Sequence, residues 1–231
     1  MTAASRVVLL HSALGDARLW RHQTAALAGR FDVVAPDLPG FGAAPLPTEA
    51  FSFVDTVTPL LPASLVGNSL GATIALRAAG AHPELVPRLV LIAAGLVDWQ
   101  WTEEMLAYRE AENAAIDAGD LDAAIRLSLD FWLAPEHHAE VAPQLRRSLE
   151  LQTAHPEPEL LWPESVPLSD VAAPTLVVVG RRDKPDLQLI AERLATEIPG
   201  AELAVVEDAG HVVGLEQPEA LNRLLLEFLE S

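Results

Sequence analysis

Apolar residues follow one another along this chain in two rhythms. Short runs rich in Val, Leu and Ile, apolar on successive positions and bounded by turn residues, recur at 6–10, 32–35, 64–67, 88–93, 175–179 and 202–206. A run that does not alternate suits a strand buried on both faces of a parallel sheet, so six such strands with helices on both sides are predicted. Between them the spacing becomes helical. One helix spans 18–28, with Leu19, Ala26 and Leu27 inward, and a second spans 70–81, ending before Pro83. A third spans 186–198, closed by Pro199-Gly200, and a fourth spans 218–229, with Leu221, Leu224, Leu225 and Phe228 on one face and Pro218 in its first turn. Strand alternating with helix predicts an α/β fold with a doubly wound, mainly parallel six-stranded sheet.

Residues at about 97–167 break this alternation: they hold no strand pattern but several amphipathic helical segments. Thr102 is placed to cap a helix through Ala118 that stops at Gly119, Asp120 to cap the next through Leu133, and a third covers 137–152. His155-Pro156-Glu157-Pro158 and Trp162-Pro163 carry too many prolines for a helix and predict an extended return to the sheet. Trp99, Trp101, Trp132, Trp162 and the only tyrosine, Tyr108, sit in this insertion. Two roles are open to them: holding a small helical layer together, or walling a pocket, with Trp99, Trp132 and Trp162 as candidate substrate contacts. No Ser/Gly linker, long charge run or repeat divides the chain, so residues 1–231 predict one domain with a helical insertion.

Composition narrows the function. Half of the 231 residues are hydrophobic and 21% are charged, enough to bury a sizeable core. A formal charge of −18 repels phosphate backbones and anionic membrane faces, which argues against nucleic acid as a partner. The absence of cysteine removes disulfides, thiolate metal sites and a cysteine nucleophile together. The apolar run before His11 is too short for a secretory signal, and the stretch around 89–97 is about half of a bilayer span, so a cytoplasmic protein without membrane insertion is expected. His137 and His138 are adjacent and face different ways on a helix, and no Walker or dinucleotide glycine pattern occurs. Neither a metal nor another cofactor is therefore expected.

The chemistry-bearing residues lie at predicted strand ends. Gly67-Asn68-Ser69-Leu70-Gly71 joins an apolar strand to a helix, the context a G-x-S-x-G elbow requires. So sharp a turn strains the central residue, lifts the serine clear of the sheet, and aims free helix N–H groups at charge developing beside it. An alcohol needs a base, and the base needs an acceptor that fixes its tautomer. Of seven histidines, His211 in Asp208-Ala209-Gly210-His211 follows the last strand, where ligands bind in open α/β sheets. His11 also follows a strand but suits a loop-fixing role; His82 ends a helix; His137, His138 and His155 are in the insertion. Asp183 follows the fifth strand through Gly180-Arg181-Arg182; its rivals are Asp186, better placed to cap the next helix, and Asp98.

With these residues in place, the chain resembles the α/β-hydrolase superfamily over nearly its whole length, in the order Ser, Asp, His. His11-Ser12-Ala13-Leu14-Gly15 through Trp20 resembles the oxyanion loop, and Asp37-Leu38-Pro39-Gly40-Phe41-Gly42 the D-x-x-G-x-G turn. Gly67 to Gly71 resembles the elbow, Ala173-Pro174-Thr175 through Asp183 the acid strand, and Gly210-His211 with Glu216-Gln217-Pro218 the histidine loop. The resemblance implies an α/β-hydrolase fold with a helical lid and no cofactor. It makes Ser69 the nucleophile, His211 the general base and Asp183 its orienting acid, with the amides of Ala13 and Leu70 as oxyanion hole. Three departures stand out. Ser12 replaces the usual glycine after His11 and is a candidate substrate contact; the N-terminal β-hairpin is missing; and Pro59 and Pro62 cut short the helix before the elbow, thinning one sheet face, so that a monomer, or a homodimer covering that face, is expected. Serine at the elbow argues against the aspartate-using dehalogenases and epoxide hydrolases. The short chain and compact lid are similar to the small carboxylesterases and enol-lactonases, with a small-molecule acyl substrate. C–C hydrolases, thioesterases and non-hydrolytic members of the fold are the alternatives. Arg109, Arg126, Arg146 and Arg147 are candidate partners for a substrate carboxylate, or solvated charges.

Overall fold

The structure, a computed structural model, describes residues 5–156, 158–162 and 167–231. The strands are β1 (Arg6–Leu10), β2 (Asp32–Val34), β3 (Ser64–Asn68), β4 (Leu89–Ile92), β5 (Thr175–Gly180) and β6 (Glu202–Val206). The helices are α1 (Arg21–Leu27), α2 (Phe53–Val57), α3 (Leu70–Ala81), α4 (Glu103–Asp117), α5 (Leu121–Trp132), α6 (His138–Thr153), α7 (Pro185–Glu197), α8 (Val213–Glu216) and α9 (Pro218–Glu230). All strand pairs are parallel, in the order β2-β1-β3-β4-β5-β6. The chain steps from β1 outward to β2, then returns to place β3 on the other side of β1. The switch point between β1 and β3 opens a crevice at their carboxyl ends.

Successive strand residues point to opposite faces, and both faces are covered, which is why the runs read as unbroken apolar stretches. Val8, Leu10, Leu65, Leu89, Leu91, Val177 and Val179 pack against residues of α2, α3 and α7. Val7, Leu9, Val66, Val90, Leu176 and Val178 face Trp20, Leu27 and the α9 residues Leu221, Leu225 and Phe228. Each such side chain contributes about 1.5–3 kcal/mol by leaving water. The predicted shortening before the elbow is present: α2 has five residues and passes into a 3₁₀ turn over Thr58–Leu60. Phe53, Val54 and Val57 nevertheless fill the face above the sheet.

Helices α4 to α6 form the insertion between β4 and β5. The Thr102 hydroxyl accepts the Met105 N–H and Asp120 accepts the Ala123 N–H, as capping residues do. Ala124, Ile125, Leu129, Val141, Leu145 and Leu149 make a separate core that reaches Leu14 and Leu19 after β1 and Val212 and Leu215 after β6. The insertion therefore rests on the two loops that border the crevice. In the extended return, Phe51 bridges Leu160, with the Phe51 N–H on the Glu159 carbonyl at 3.1 Å and the Leu161 N–H on the Phe51 carbonyl at 2.8 Å. Glu157 and Pro163 of that return lie outside the described residues. No helix among the described residues is long and apolar enough to cross a membrane.

One residue departs from its expected part. Asp186 does not cap α7, because Pro185 takes the first helical position and leaves Lys184 as the cap, with no side-chain cap bond. Instead the Asp186 carboxylate, only 3% exposed, accepts Trp99 Nε1–H at 2.8 Å and Thr102 Oγ1–H at 2.6 Å. It fastens the start of the insertion to α7. Removing it leaves the half-buried Trp99 donor without its partner, while the exposed Thr102 hydroxyl can turn to water, so Asp186→Ala is expected to cost about 1–2 kcal/mol of unfolding free energy in a urea titration. A midpoint equal to wild type would contradict the clasp.

Candidate active site

At the carboxyl end of β3 the chain turns directly into α3, and Ser69 takes the strain, with φ 54° and ψ −112°. A positive φ at a residue bearing a side chain costs about 1–3 kcal/mol and persists only where the surroundings over-determine it. Here the Ser69 N–H donates to the Ile92 carbonyl at 2.9 Å, and the Ser69 carbonyl accepts the Thr73 N–H at 3.0 Å. The flanking glycines allow the approach: a Cβ on Gly67 would lie 2.2 Å from the Gly71 carbonyl oxygen, and one on Gly71 would lie 2.0 Å from that of Leu10. Leu70 opens the helix, so its N–H has no intrahelical partner and sits at the positive end of the dipole.

His211 lies between β6 and α8. Its Nδ1 is 3.2 and 3.1 Å from the two oxygens of Asp183, and both side chains are buried. A carboxylate can only accept, so the proton shared with it lies on Nδ1. Nε2 has no hydrogen bond among the described residues. Arg181 pairs with Glu207 and Arg182 with Asp208, so neither competes for Asp183. The rival Asp98 pairs with Arg193 at 2.9 Å on the surface. Asn68, next to Ser69, donates from Nδ2 to the carbonyls of Ile92 at 3.2 Å and His211 at 3.1 Å, which ties the histidine loop to the elbow strand. Glu216 holds the loop from the other side, accepting the N–H groups of Gly210 at 2.9 Å and Val212 at 3.1 Å. Burial pushes its carboxyl above the ordinary value, only partly opposed by those two bonds. The Trp132 ring covers the imidazole, with centroids 4.2 Å apart and planes 34° apart.

The loop after β1 is fixed by His11, which is fully buried. Leu38 N–H donates to Nε2 at 3.0 Å, which places the proton on Nδ1, facing the Ser12 carbonyl at 2.8 Å. Asp16 caps the turn that follows. Burial disfavours its charge, but the backbone and guanidinium of Arg18 outweigh this and hold the carboxyl below its usual range. Ser12 is 1% exposed, and its hydroxyl accepts the Leu14 N–H of its own loop at 3.4 Å. Ala13 is exposed, and its N–H has no partner among the described residues. Of the three tryptophans expected at a pocket wall, the fold brings Trp132 to His211. Trp99 is committed to Asp186, and Trp162 packs on Phe53 beneath Arg77.

Burial lowers the His11 pKa, a direction opposed by its bond to Ser12 and by the charges of Asp37 and Asp16. A histidine whose folded value lies below its unfolded value of about 6.5 adds stability that is complete above that pH and is lost as the pH falls toward the folded value. The contribution of His11 to the unfolding free energy is therefore expected to decline from about pH 6.5 downward, and the difference between wild type and His11→Gln is expected to follow that decline. The limb belonging to Asp16 begins only below about pH 4, so denaturant titrations across the range separate the two. An unchanged slope in the variant would remove His11 as the source.

Asn68 and Glu216 fall within motifs legible in the sequence, but what their side chains bind is not. Asn68 occupies the variable position of the elbow, and only the register of β3 against β4 and the histidine loop reveals its two acceptors. Glu216 opens the Glu216-Gln217-Pro218 segment of the histidine loop, but its reach back to Gly210 depends on the tight turn of α8.

A strand-to-helix turn that strains its central serine, tied through Asn68 to the loop that carries a buried histidine–aspartate pair, is the arrangement of the hydrolase class of α/β proteins. The model of the alpha/beta hydrolase family matches residues 7–224, and the chain belongs to that family. The 2-hydroxymuconate semialdehyde hydrolase of Pseudomonas sp. (strain CF600) is 31% identical, across 91% of this chain and 80% of its own length. A pimeloyl-(acyl-carrier protein) methyl ester esterase of Methylococcus capsulatus is 30% identical, across 97% of this chain and 94% of its own. The enol-lactonase from Burkholderia xenovorans LB400 shares the fold, with a TM-score of 0.80 at 19% identity over 99% of this chain and 92% of its own. The protein is an enzyme of hydrolase type.

Proposed function

We propose that the protein is a serine hydrolase that cleaves small carboxylic esters or lactones through an acyl-enzyme. Ser69 Oγ attacks the carbonyl carbon while its proton passes to His211 Nε2. The carbonyl oxygen becomes an oxyanion that accepts from the N–H groups of Ala13 and Leu70. The tetrahedral adduct expels the alcohol, which takes the proton back from Nε2. Water, deprotonated by the same nitrogen, then releases the acid and restores Ser69. Asp183 remains ionised throughout and stabilises the imidazolium. The face of Trp132 adds to this by about 0.5–2 kcal/mol, as an aromatic ring does for a cation. In this reading α4 to α6 are a lid over the site.

The single observation carrying the reading is the buried His211–Asp183 pair, bound through Asn68 to the strand that presents Ser69. Incubation with 4-nitrophenyl acetate and butyrate is expected to release nitrophenol, and a fluorophosphonate is expected to label the peptide containing Ser69. Label on a different serine would overturn the assignment.

A further inference from the structure

The insertion holds four arginines and no lysine, and none of the four lines a cavity beside the elbow. Arg109 lies over the Trp101 ring at 4.5 Å, Arg146 pairs with Asp122, and Arg147 donates from Nε to the Gly42 carbonyl at 3.4 Å. Arg126 is exposed on α5. Positions 157 and 163–166 contribute no lysine or arginine either.

A cavity of about 680 Å³ opens at Leu70, the residue after Ser69, between α4, α6 and the segments that carry Phe41 and Phe53. Its floor is apolar: Phe41, Phe53 and Leu149 are 5%, 6% and 7% exposed. Its rim is polar and exposed. Asp117, at the end of α4, is the one carboxylate among the described lining residues, and His155 is the other titratable group. A carboxylate reaching the apolar floor would find no lysine or arginine among the described lining residues to receive it, and would approach a like charge on the way in. A hydrocarbon chain meets neither obstacle, and the volume suits one of medium length.

We infer that this site takes uncharged, largely hydrocarbon acyl groups, and that Asp117 discriminates against acyl groups ending in a carboxylate. The inference rests on the reading of Ser69 as nucleophile. The direct comparison is 4-nitrophenyl hexanoate against the 4-nitrophenyl monoester of adipic acid, which has the same six carbons and a terminal carboxylate. The neutral ester is expected to show a kcat/KM at least about tenfold higher. Asp117→Lys is expected to narrow that ratio by about threefold or more. Glu110→Lys changes the net charge equally on the same helix but outside the cavity, and should leave the ratio in place. Equal turnover of the two esters by the wild type, or a ratio that Glu110→Lys moves as far as Asp117→Lys does, would overturn the inference. Loss of Ser69 dependence would instead overturn the nucleophile. To keep the two apart, the Ser69→Ala protein is titrated calorimetrically with hexanamide and with the monoamide of adipic acid, neither of which needs turnover to be read. Tighter binding of hexanamide supports the inference, and equal or weaker binding refutes it.

Discussion

Replacing Ser69 by alanine is expected to lower kcat on 4-nitrophenyl butyrate by about 10⁴–10⁶-fold, and His211→Ala by a comparable factor. The two losses should not add: in the proposed mechanism the base has nothing to activate once the nucleophile is gone, so the double variant should be no slower than the worse single one. The residual rate should come from substrate binding and from the two amides, which both substitutions leave in place. Stability should separate the positions further. Alanine at 69 keeps the Cβ and therefore the strain of a positive φ, whereas Ser69→Gly should gain about 1 kcal/mol as that strain relaxes. Steady-state rates with urea unfolding of the same preparations test both statements. An alanine variant as fast as wild type would place the chemistry elsewhere.

Gly71→Ala is expected to be among the most damaging single-methyl additions in the chain, costing about 3–5 kcal/mol. The added carbon would lie 2.0 Å from the Leu10 carbonyl oxygen, 2.5 Å from its carbon and 2.8 Å from the His11 carbonyl oxygen. All three atoms are backbone, so no rotamer change gives relief, and α3 must move away from β1. That movement opens the junction where the loop bearing Ala13 begins, so activity should fall together with the urea midpoint. A variant that unfolds at the wild-type midpoint would show that helix and strand do not approach as closely as described.

The strands were legible because they are short, continuous apolar runs, and a sheet covered on both faces leaves no alternation to blur them. The pair His211 and Asp183 was legible for a related reason: both residues sit one turn beyond a strand end, where a parallel sheet gathers its loops. Ser12 and the tryptophans were less so. A side chain in a loop can turn inward to its own backbone, as Ser12 does toward Leu14, and no spacing rule distinguishes that from turning toward a ligand. Asp186 looked like a cap because carboxylates often precede helices, but Pro185 shifted the helix start and released it to bind Trp99 and Thr102.

By itself the chain determined the order of elements, the position of the strained elbow, the length of the insertion and the chemical types available at each loop. These follow from run length, proline and glycine placement and capping, all of which act over a few neighbouring residues. Tertiary structure decided which partners those groups found. It set Asn68 on the histidine loop 143 positions away, Trp132 on the imidazole, and the arginines of the insertion away from the cavity. The physical reason is range: such contacts depend on strand register and on how whole helices seat against a sheet, which the energetics of local sequence do not encode.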